Sequence, residues 1–142
     1  MIRIAAFALV IAATFTATGS AIAQDHRAKA NVPFTFTVGD KTLPAGEYIV
    51  TSSPSSPNLI AISNWYMRLN VQAMGQPDQT NPERANVLVF HKYGNLYFLS
   101  EIRSDVASIN IDFAASKAEK KTRAQVEEAG RAVNDPVLIA LK

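Results

Sequence analysis

Apolar and polar positions alternate along most of the chain, the pattern of strands that bury one face. Val32, Phe34, Phe36 and Val38 alternate with proline and threonine, and a side-chain period of two is typical of a half-buried strand. Similar stretches follow at 47–51, 59–62, 68–74, 109–113 and 137–141. Turn residues such as Gly39-Asp40 separate them. The pattern predicts a β-rich domain.

The clearest element is a β-hairpin over 87–93 and 96–103, joined by Gly94-Asn95, a favoured two-residue connection. The expected register follows from that connection: Tyr93 faces Leu96, His91 faces Phe98 and Val87 faces Ile102. Both faces of the hairpin are mostly apolar, so we expect it to lie centrally and to be covered on both sides. His91 is interpreted as a partly buried sheet histidine stacked on Phe98.

One helix is expected near the C-terminus, over about 116–130. Ser116 to Glu119 reads S-x-x-E, the pattern of a capping box, and Gly130 is a stop signal. The apolar stripe of this helix is thin, so the helix should dock loosely; its members are Ala118, Thr122, Val126 and Ala129. The expected fold is all-β, a sandwich or open barrel of about seven to eight mostly antiparallel strands with this helix added.

The first 23 residues have the features of a secretory signal peptide. Arg3 supplies a short positive start, positions 4–11 are an unbroken apolar run, and Ala21-Ile22-Ala23 is a small-x-small cleavage site. We therefore expect 24–142 to fold as a single domain in the periplasm or outside the cell. The leader is too short for a membrane span, and no later apolar segment is long enough for one.

Charge and cysteine content narrow the classes of function. The chain has 142 residues, with 14 basic and 12 acidic side chains and no cysteine. Loss of Arg3 with the leader leaves 13 basic residues against 12 acidic ones, a balance that disfavours nucleic acid as a partner. Without disulfides, an exported domain of this size must be held together by packing.

Three segments together resemble a group of small exported bacterial proteins that have no assigned function. They read NVPFTFTVG at 31–39, LPAGEY at 43–48 and YGNLYFLSEI at 93–102, and the likeness spans about 28–121. The resemblance implies no catalytic residue. The second segment is also similar to the turn-then-tyrosine of transthyretin-like and carboxypeptidase-regulatory-like sandwiches, which implies that Tyr48 packs in the core with its hydroxyl bonded to backbone. Structural roles are accordingly expected for Pro44, Gly46, Tyr48 and Gly94.

Catalytic constellations are weak in this sequence. There is no cysteine and no G-x-S-x-G segment, and His91 is the one histidine well inside the folded region. A set of His91, Ser100 and Asp105 lacks evident oxyanion donors. Glu101, Asp105 and Asp112 are spread along strands and loops, so exposed acids explain them better than a glycosidase carboxylate pair does.

Several side chains are candidates for contact with a ligand or partner. Trp65-Tyr66-Met67 lies in an apparent turn and is interpreted either as a lid on the core or as an exposed contact patch. His91 and Tyr93 lie on the hairpin, whose mixture of basic and aromatic residues is also found in stacking platforms for nucleic acid. The basic helix residues are either a solvated face or a contact surface: Lys117, Lys120, Lys121 and Arg123.

One metal hypothesis follows from the expected cleavage. Removal of the leader after Ala23 leaves Gln24-Asp25-His26 at the new N-terminus. A free amine, two deprotonated amide nitrogens and the His26 imidazole form a square-planar site that suits Cu(II) or Ni(II). Cyclisation of Gln24 would remove the amine. No other cofactor is expected.

The favoured function is that of a non-catalytic binding or structural module associated with the cell envelope. Its expected contact surfaces are the 117–131 helix and the 75–84 loop, which both look under-buried. One alternative is a small-ligand carrier or hydrolase with a pocket near His91 or Trp65. Another is a self-associating subunit that completes its sheet with a strand from a neighbour.

Overall fold

The computed structural model describes residues 26–79 and 85–142, and within them the chain forms eleven strands and one helix. The elements are β1 Arg27–Val32, β2 Phe36–Val38, β3 Lys41–Leu43, β4 Gly46–Ser53, β5 Ser56–Asn64, β6 Leu69–Met74, β7 Gln76–Pro77, β8 Val87–Tyr93, β9 Leu96–Ser104, β10 Ile109–Asp112, α1 Lys117–Glu128 and β11 Val137–Ala140. The all-β prediction with one C-terminal helix is confirmed. The strand count exceeds seven to eight because β2, β3 and β7 are very short. The expected leader lies outside the described residues.

The strands form two curled sheets that meet as a half-barrel. One sheet has the order β1-β4-β5-β6 and is antiparallel throughout; the other has the order β11-β8-β9-β10-β7, with β2 and β3 added beside β9. Two backbone hydrogen bonds between Lys29 and Lys142, of 2.8 and 2.9 Å, join the sheets along one side. On the other side the chain itself crosses from β6 to β7 through Gly75.

Gly75 is required at that crossing. A Cβ atom there would lie 2.1 Å from Ile111 Cγ2 and 2.7 Å from the Asp112 carbonyl oxygen. Only glycine leaves room for the two backbones to approach so closely.

The continuous strand expected over 32–38 is wrong, because it breaks at Pro33. β1 ends at Val32 and β2 begins at Phe36. Proline has no backbone N–H and cannot continue a ladder of hydrogen bonds. Phe34 lies between the two strands and stacks on Tyr97, with ring centroids 3.8 Å apart.

The β8–β9 hairpin has the expected register only near its turn. His91 faces Phe98 as predicted, but a bulge follows, and Val87 faces Arg103 instead of Ile102. Ser100 is the extra residue of that bulge, since Leu99 and Glu101 pair with successive residues of β8. One inserted residue reverses the faces beyond it, which is why Ile102 is fully buried in the main core.

The core lies between the two sheets and is built around aromatic edges. Phe36 contacts Tyr48 and Phe90 edge-on, with ring centroids 5.2 and 5.3 Å apart. The Tyr48 hydroxyl donates to the Pro44 carbonyl at 2.6 Å, which confirms the packing role expected for Tyr48. A Cβ at Gly46 would lie 2.9 Å from Asn64 Nδ2, so a larger residue here would displace the Asn64 side chain.

The hairpin lies centrally in its sheet, as expected, and helix α1 packs against β8 on the outer face, where the His91 side chain stays 42% exposed. Ser116 accepts a hydrogen bond from the Glu119 N–H at 3.1 Å. At the other end Gly130 has φ +66, and its N–H and that of Arg131 bond back to the carbonyls of Glu127 and Val126, a Schellman ending.

The apolar stripe expected on α1 is only partly right. Thr122 and Val126 are half-buried, but Ala118 and Ala129 are exposed and Glu119 is buried in their place. The helix is therefore rotated about its axis so that the side chain of Glu119, and not that of Ala118, faces the sheet. In the described part of the chain, no helix is long and apolar enough to cross a membrane.

Candidate functional site

The turn between β5 and β6 carries three exposed apolar side chains, which we call the aromatic turn: Trp65, Tyr66 and Met67. Trp65 is 85% exposed, Tyr66 84% and Met67 47%. The interpretation of this segment as a lid on the core is therefore wrong, and the alternative of an exposed patch agrees with the structure. The reason is local, since the buried position at the end of β5 is taken by Asn64, which is 2% exposed.

Asn64 also fixes the shape of the turn. Its side-chain Oδ1 accepts a hydrogen bond from the Met67 N–H at 3.0 Å, the kind of local bond by which asparagine stabilises turns. The Arg68 N–H bonds to the Trp65 carbonyl at 3.3 Å, and Arg68 adopts a left-handed φ of +53. These two hydrogen bonds keep Trp65 and Tyr66 exposed to water. They also offset the energetic cost of the left-handed backbone conformation of Arg68.

A half-open groove of about 680 Å³ lies beside the aromatic turn, and we call it the Trp65 groove. Its lining combines one indole, two aliphatic side chains, a hydroxyl, two amides and one guanidinium: Trp65, Ile49, Leu69, Ser63, Asn64, Asn70 and Arg68. The lining holds no carboxylate, so the groove is suited to a ligand that is neutral or negatively charged. It can offer stacking, apolar contact and hydrogen bonds at once.

The second candidate region lies under α1. His91 Nδ1 donates to Glu119 Oε1 at 2.7 Å, and the Tyr93 hydroxyl donates to the same oxygen at 3.1 Å. The Glu119 side chain is 6% exposed and that of His91 is 42% exposed. Burial raises the pKa of Tyr93, and the negative charge of Glu119 raises it further.

The expected stacking of His91 on Phe98 is not what the structure has. The ring of Tyr93 contacts both of them edge-on, with centroid distances of 6.3 Å to His91 and 5.8 Å to Phe98. The burial of Glu119 is not predicted from the sequence, because its place in S-x-x-E already accounts for it as the acid of a capping box. Its spacing to Thr122 and Val126, three and seven residues on, would have placed it on the buried face of the helix.

The structure does not bring together His91, Ser100 and Asp105, the Ser–His–acid set considered from the sequence. The partner of His91 is Glu119, whereas Ser100 Oγ donates to the Val89 carbonyl at 3.1 Å. Asp105 lies in an exposed turn, where its N–H bonds to Asn86. The three residues are engaged with three different partners.

The acidic residues are less scattered than expected. Asp112 pairs directly with Glu101 across β10 and β9, and both are half-buried, so their interpretation as exposed acids is wrong; Asp105 is exposed as expected. Arg103 forms an ion pair with Glu101. Burial raises the pKa of Asp112, and the charges of Glu101 and Asp78 add to that effect. The positive charge of Arg103 acts on both Glu101 and Asp112 and offsets part of the negative charge of the cluster.

Of the remaining predicted residues, His26 lies apart from the basic residues of α1, and Arg123 of that helix interacts with the Tyr93 hydroxyl. His26 Nδ1 donates to the Ala107 carbonyl at 3.1 Å, a bond that competes with metal binding by that nitrogen; Gln24 and Asp25 lie outside the described residues, and the metal site stays a prediction. Over 26–79 and 85–142 no three His, Asp or Glu side chains are grouped closely enough to hold a metal ion. The basic helix residues Lys117, Lys120, Lys121 and Arg123 are all exposed on α1.

Comparison of the chain with protein-family models, with curated proteins and with solved structures finds no match.

Proposed function

We propose that this chain is an exported, non-catalytic binding module that contacts its partner through the aromatic turn and the Trp65 groove. The observation that carries the proposal is the exposure of Trp65 and Tyr66, at 85% and 84%. Trp and Tyr are enriched where protein surfaces bind other molecules, because each offers a large rigid face and one polar group. Envelope association is part of the proposal and follows from the leader-like N-terminus.

The energy available at this surface supports a contact role. An aromatic side chain buries about 150–250 Å², so covering Trp65 and Tyr66 would remove roughly 340 Å² from water. At about 25 cal/mol per Å² this amounts to about 8 kcal/mol before the costs of association. A turn held open by Asn64 keeps that surface available and pre-organised, which lowers the cost of ordering it on binding.

The titratable groups of the described residues favour contact over chemistry. Glu119 is occupied by His91 and Tyr93, and Glu101 by Arg103. Neither group lines the Trp65 groove, whose polar groups are amides, a hydroxyl and a guanidinium. Such groups orient a bound molecule and need not exchange protons with it.

The test is affinity capture from an envelope fraction with matched variants of the processed chain. Trp65→Ala/Tyr66→Ala is expected to lose the proteins or glycans retained by the wild type. Leu138→Ala is the control, because Leu138 is also apolar and 60% exposed but lies on β11. Equal capture by the wild type and the aromatic double variant would overturn the proposal.

A second candidate function, a small-ligand carrier, is favoured by the volume and lining of the Trp65 groove. Ile49 and Leu69 give this groove an apolar floor beside the indole. An anionic aromatic dye such as anilinonaphthalene sulfonate is a suitable probe, because Arg68 can pair with its sulfonate. Saturable binding lost in Trp65→Ala and kept in Leu138→Ala would support the carrier; binding that no variant changes would exclude it.

A further inference from the structure

β6 is the terminal strand of its sheet, and in the described part of the chain it pairs with β5 alone. Its six residues, Leu69–Met74, read L-N-V-Q-A-M. None of them is charged and none is proline. A strand of this length with one unpaired edge presents backbone N–H and C=O groups that are ready to pair with another chain.

Three other edge strands, β1, β3 and β7, carry protections that β6 lacks. The backbone of β1 is covered at Lys29 by the hydrogen bonds from Lys142. β3 has three residues and begins with Lys41, and β7 has two residues and ends in Pro77. Short strands, lysine, proline and covering segments are the usual means by which proteins block edge-to-edge pairing.

Space lies beside the unprotected edge. A groove of about 310 Å³ runs along the C-terminal half of β6, from Gln72 to Met74, and is bounded on its far side by residues 38–41 and 113–114. No strand of this chain is therefore paired with the edge at 72–74, where the groove separates it from residues 38–41 and 113–114.

The two ends of β6 are complementary to each other. Met74, at the C-terminal end, is 76% exposed, and the aromatic turn precedes the N-terminal end. If two β6 strands pair antiparallel about a two-fold axis, Met74 of each copy comes to the end that carries the aromatic turn of the other. Methionine sulfur packs favourably against aromatic rings, and an uncharged strand meets no like charge in its own copy.

We infer that the β6 edge binds β6 of a second copy of this chain, which joins the two four-stranded sheets into one sheet of eight strands. Such a contact is isologous, so it closes at a dimer and does not propagate into a fibre. Main-chain hydrogen bonds between the two edges hold the pair, and the Met74 and Trp65 contacts set its direction. This inference names a second copy of the chain as one partner of the proposed binding module. Only the role of Trp65 in the contact rests on the proposed function.

The test is the mass of the processed chain in solution, measured by sedimentation over a range of concentrations. The wild type is expected to dimerise reversibly. Asn70→Lys/Gln72→Lys places charges along the β6 edge on exposed positions and is expected to weaken dimerisation at least about tenfold. The control, Thr42→Lys/Asn95→Lys, adds the same charge at exposed positions elsewhere and should dimerise like the wild type. Unfolding midpoints establish that all three proteins are folded.

A second measurement reports the contact itself. The chain has no cysteine, so a spin label attached to Gln72→Cys is the one label on each copy. Neighbouring strands lie about 4.8 Å apart, and paired β6 edges should give strong dipolar broadening that is lost when labelled protein is diluted with unlabelled protein. A wild type that stays monomeric, or a β6 variant that still dimerises, overturns the inference. Loss of captured partners in Trp65→Ala/Tyr66→Ala is a separate result and decides the proposed function alone.

Discussion

Truncation of Glu119 should release helix α1 from the sheet. The Glu119 carboxylate is the buried group of this helix and accepts hydrogen bonds from His91 and Tyr93. Glu119→Ala removes both bonds and leaves the Tyr93 hydroxyl buried without this acceptor. His91, which is 42% exposed on its side chain, can turn to water instead.

The expected loss of stability follows from what happens to Tyr93 and to His91. A buried hydroxyl whose hydrogen has no acceptor costs about 1–3 kcal/mol, and Arg123, which also interacts with the Tyr93 hydroxyl, is a donor and cannot replace Glu119. A half-exposed imidazole that regains water costs little. Removal of a buried carboxylate also relieves its own desolvation, which offsets part of the loss. We expect Glu119→Ala to lower the free energy of unfolding by about 1–3 kcal/mol, and Glu119→Gln, which keeps an acceptor oxygen, to lower it by less.

The assay is urea unfolding followed by far-ultraviolet circular dichroism. Glu128→Ala is the control, since Glu128 lies exposed at the end of the same helix, and it should change stability by no more than about 0.5 kcal/mol. Tyr93→Phe removes the hydroxyl that has lost its acceptor, so the double variant Glu119→Ala/Tyr93→Phe should be more stable than the sum of the two single effects implies. Additive effects, or a Glu119→Ala variant as stable as Glu128→Ala, would refute the reasoning.

Three further predictions concern the fold. Gly75→Ala forces a Cβ against the Asp112 backbone and should cost about 1–3 kcal/mol by overpacking, so an unfolding curve like that of the wild type would contradict the assigned crossing. Tyr48→Phe removes the bond to Pro44 and should cost about 0.5–1.5 kcal/mol in the same experiment, so an unchanged midpoint would count against it. Burial, and then the charges of Glu101 and Asp78, raise the pKa of Asp112, so the ionised form of this residue opposes folding. Asp112→Asn should therefore stabilise the protein slightly at pH 7, and this gain should fade below about pH 4. A gain in stability that grew on acidification would contradict this prediction.

The alternation of side chains predicted most of the strands, because burial of one sheet face imposes a period of two on the sequence. Tyr48 and its turn could be recognised for a similar reason, since Pro44, Gly46 and Tyr48 act within five residues of one another. The break at Pro33 could also have been read locally, from its missing N–H.

Features that depend on distant parts of the chain could not be predicted in the same way. The bulge at Ser100 is set by how β8 and β10 pair on either side of β9, and nothing within 96–103 marks it. The burial of Glu119 depends on His91 and Tyr93, which lie 28 and 26 residues away in sequence. The exposure of Trp65 runs against its hydrophobicity and follows from Asn64 taking the buried place beside it.

Acrylamide quenching of tryptophan fluorescence tests most directly the claim that the aromatic turn is an open contact surface. Trp65 is the one tryptophan of the chain, so its emission reports on this turn without interference. In dilute protein, Trp65 should emit like free tryptophan in water and be quenched almost as fast. A blue-shifted emission that resists quenching under those conditions would mean that Trp65 is packed inside the domain, and the proposed contact surface would not exist.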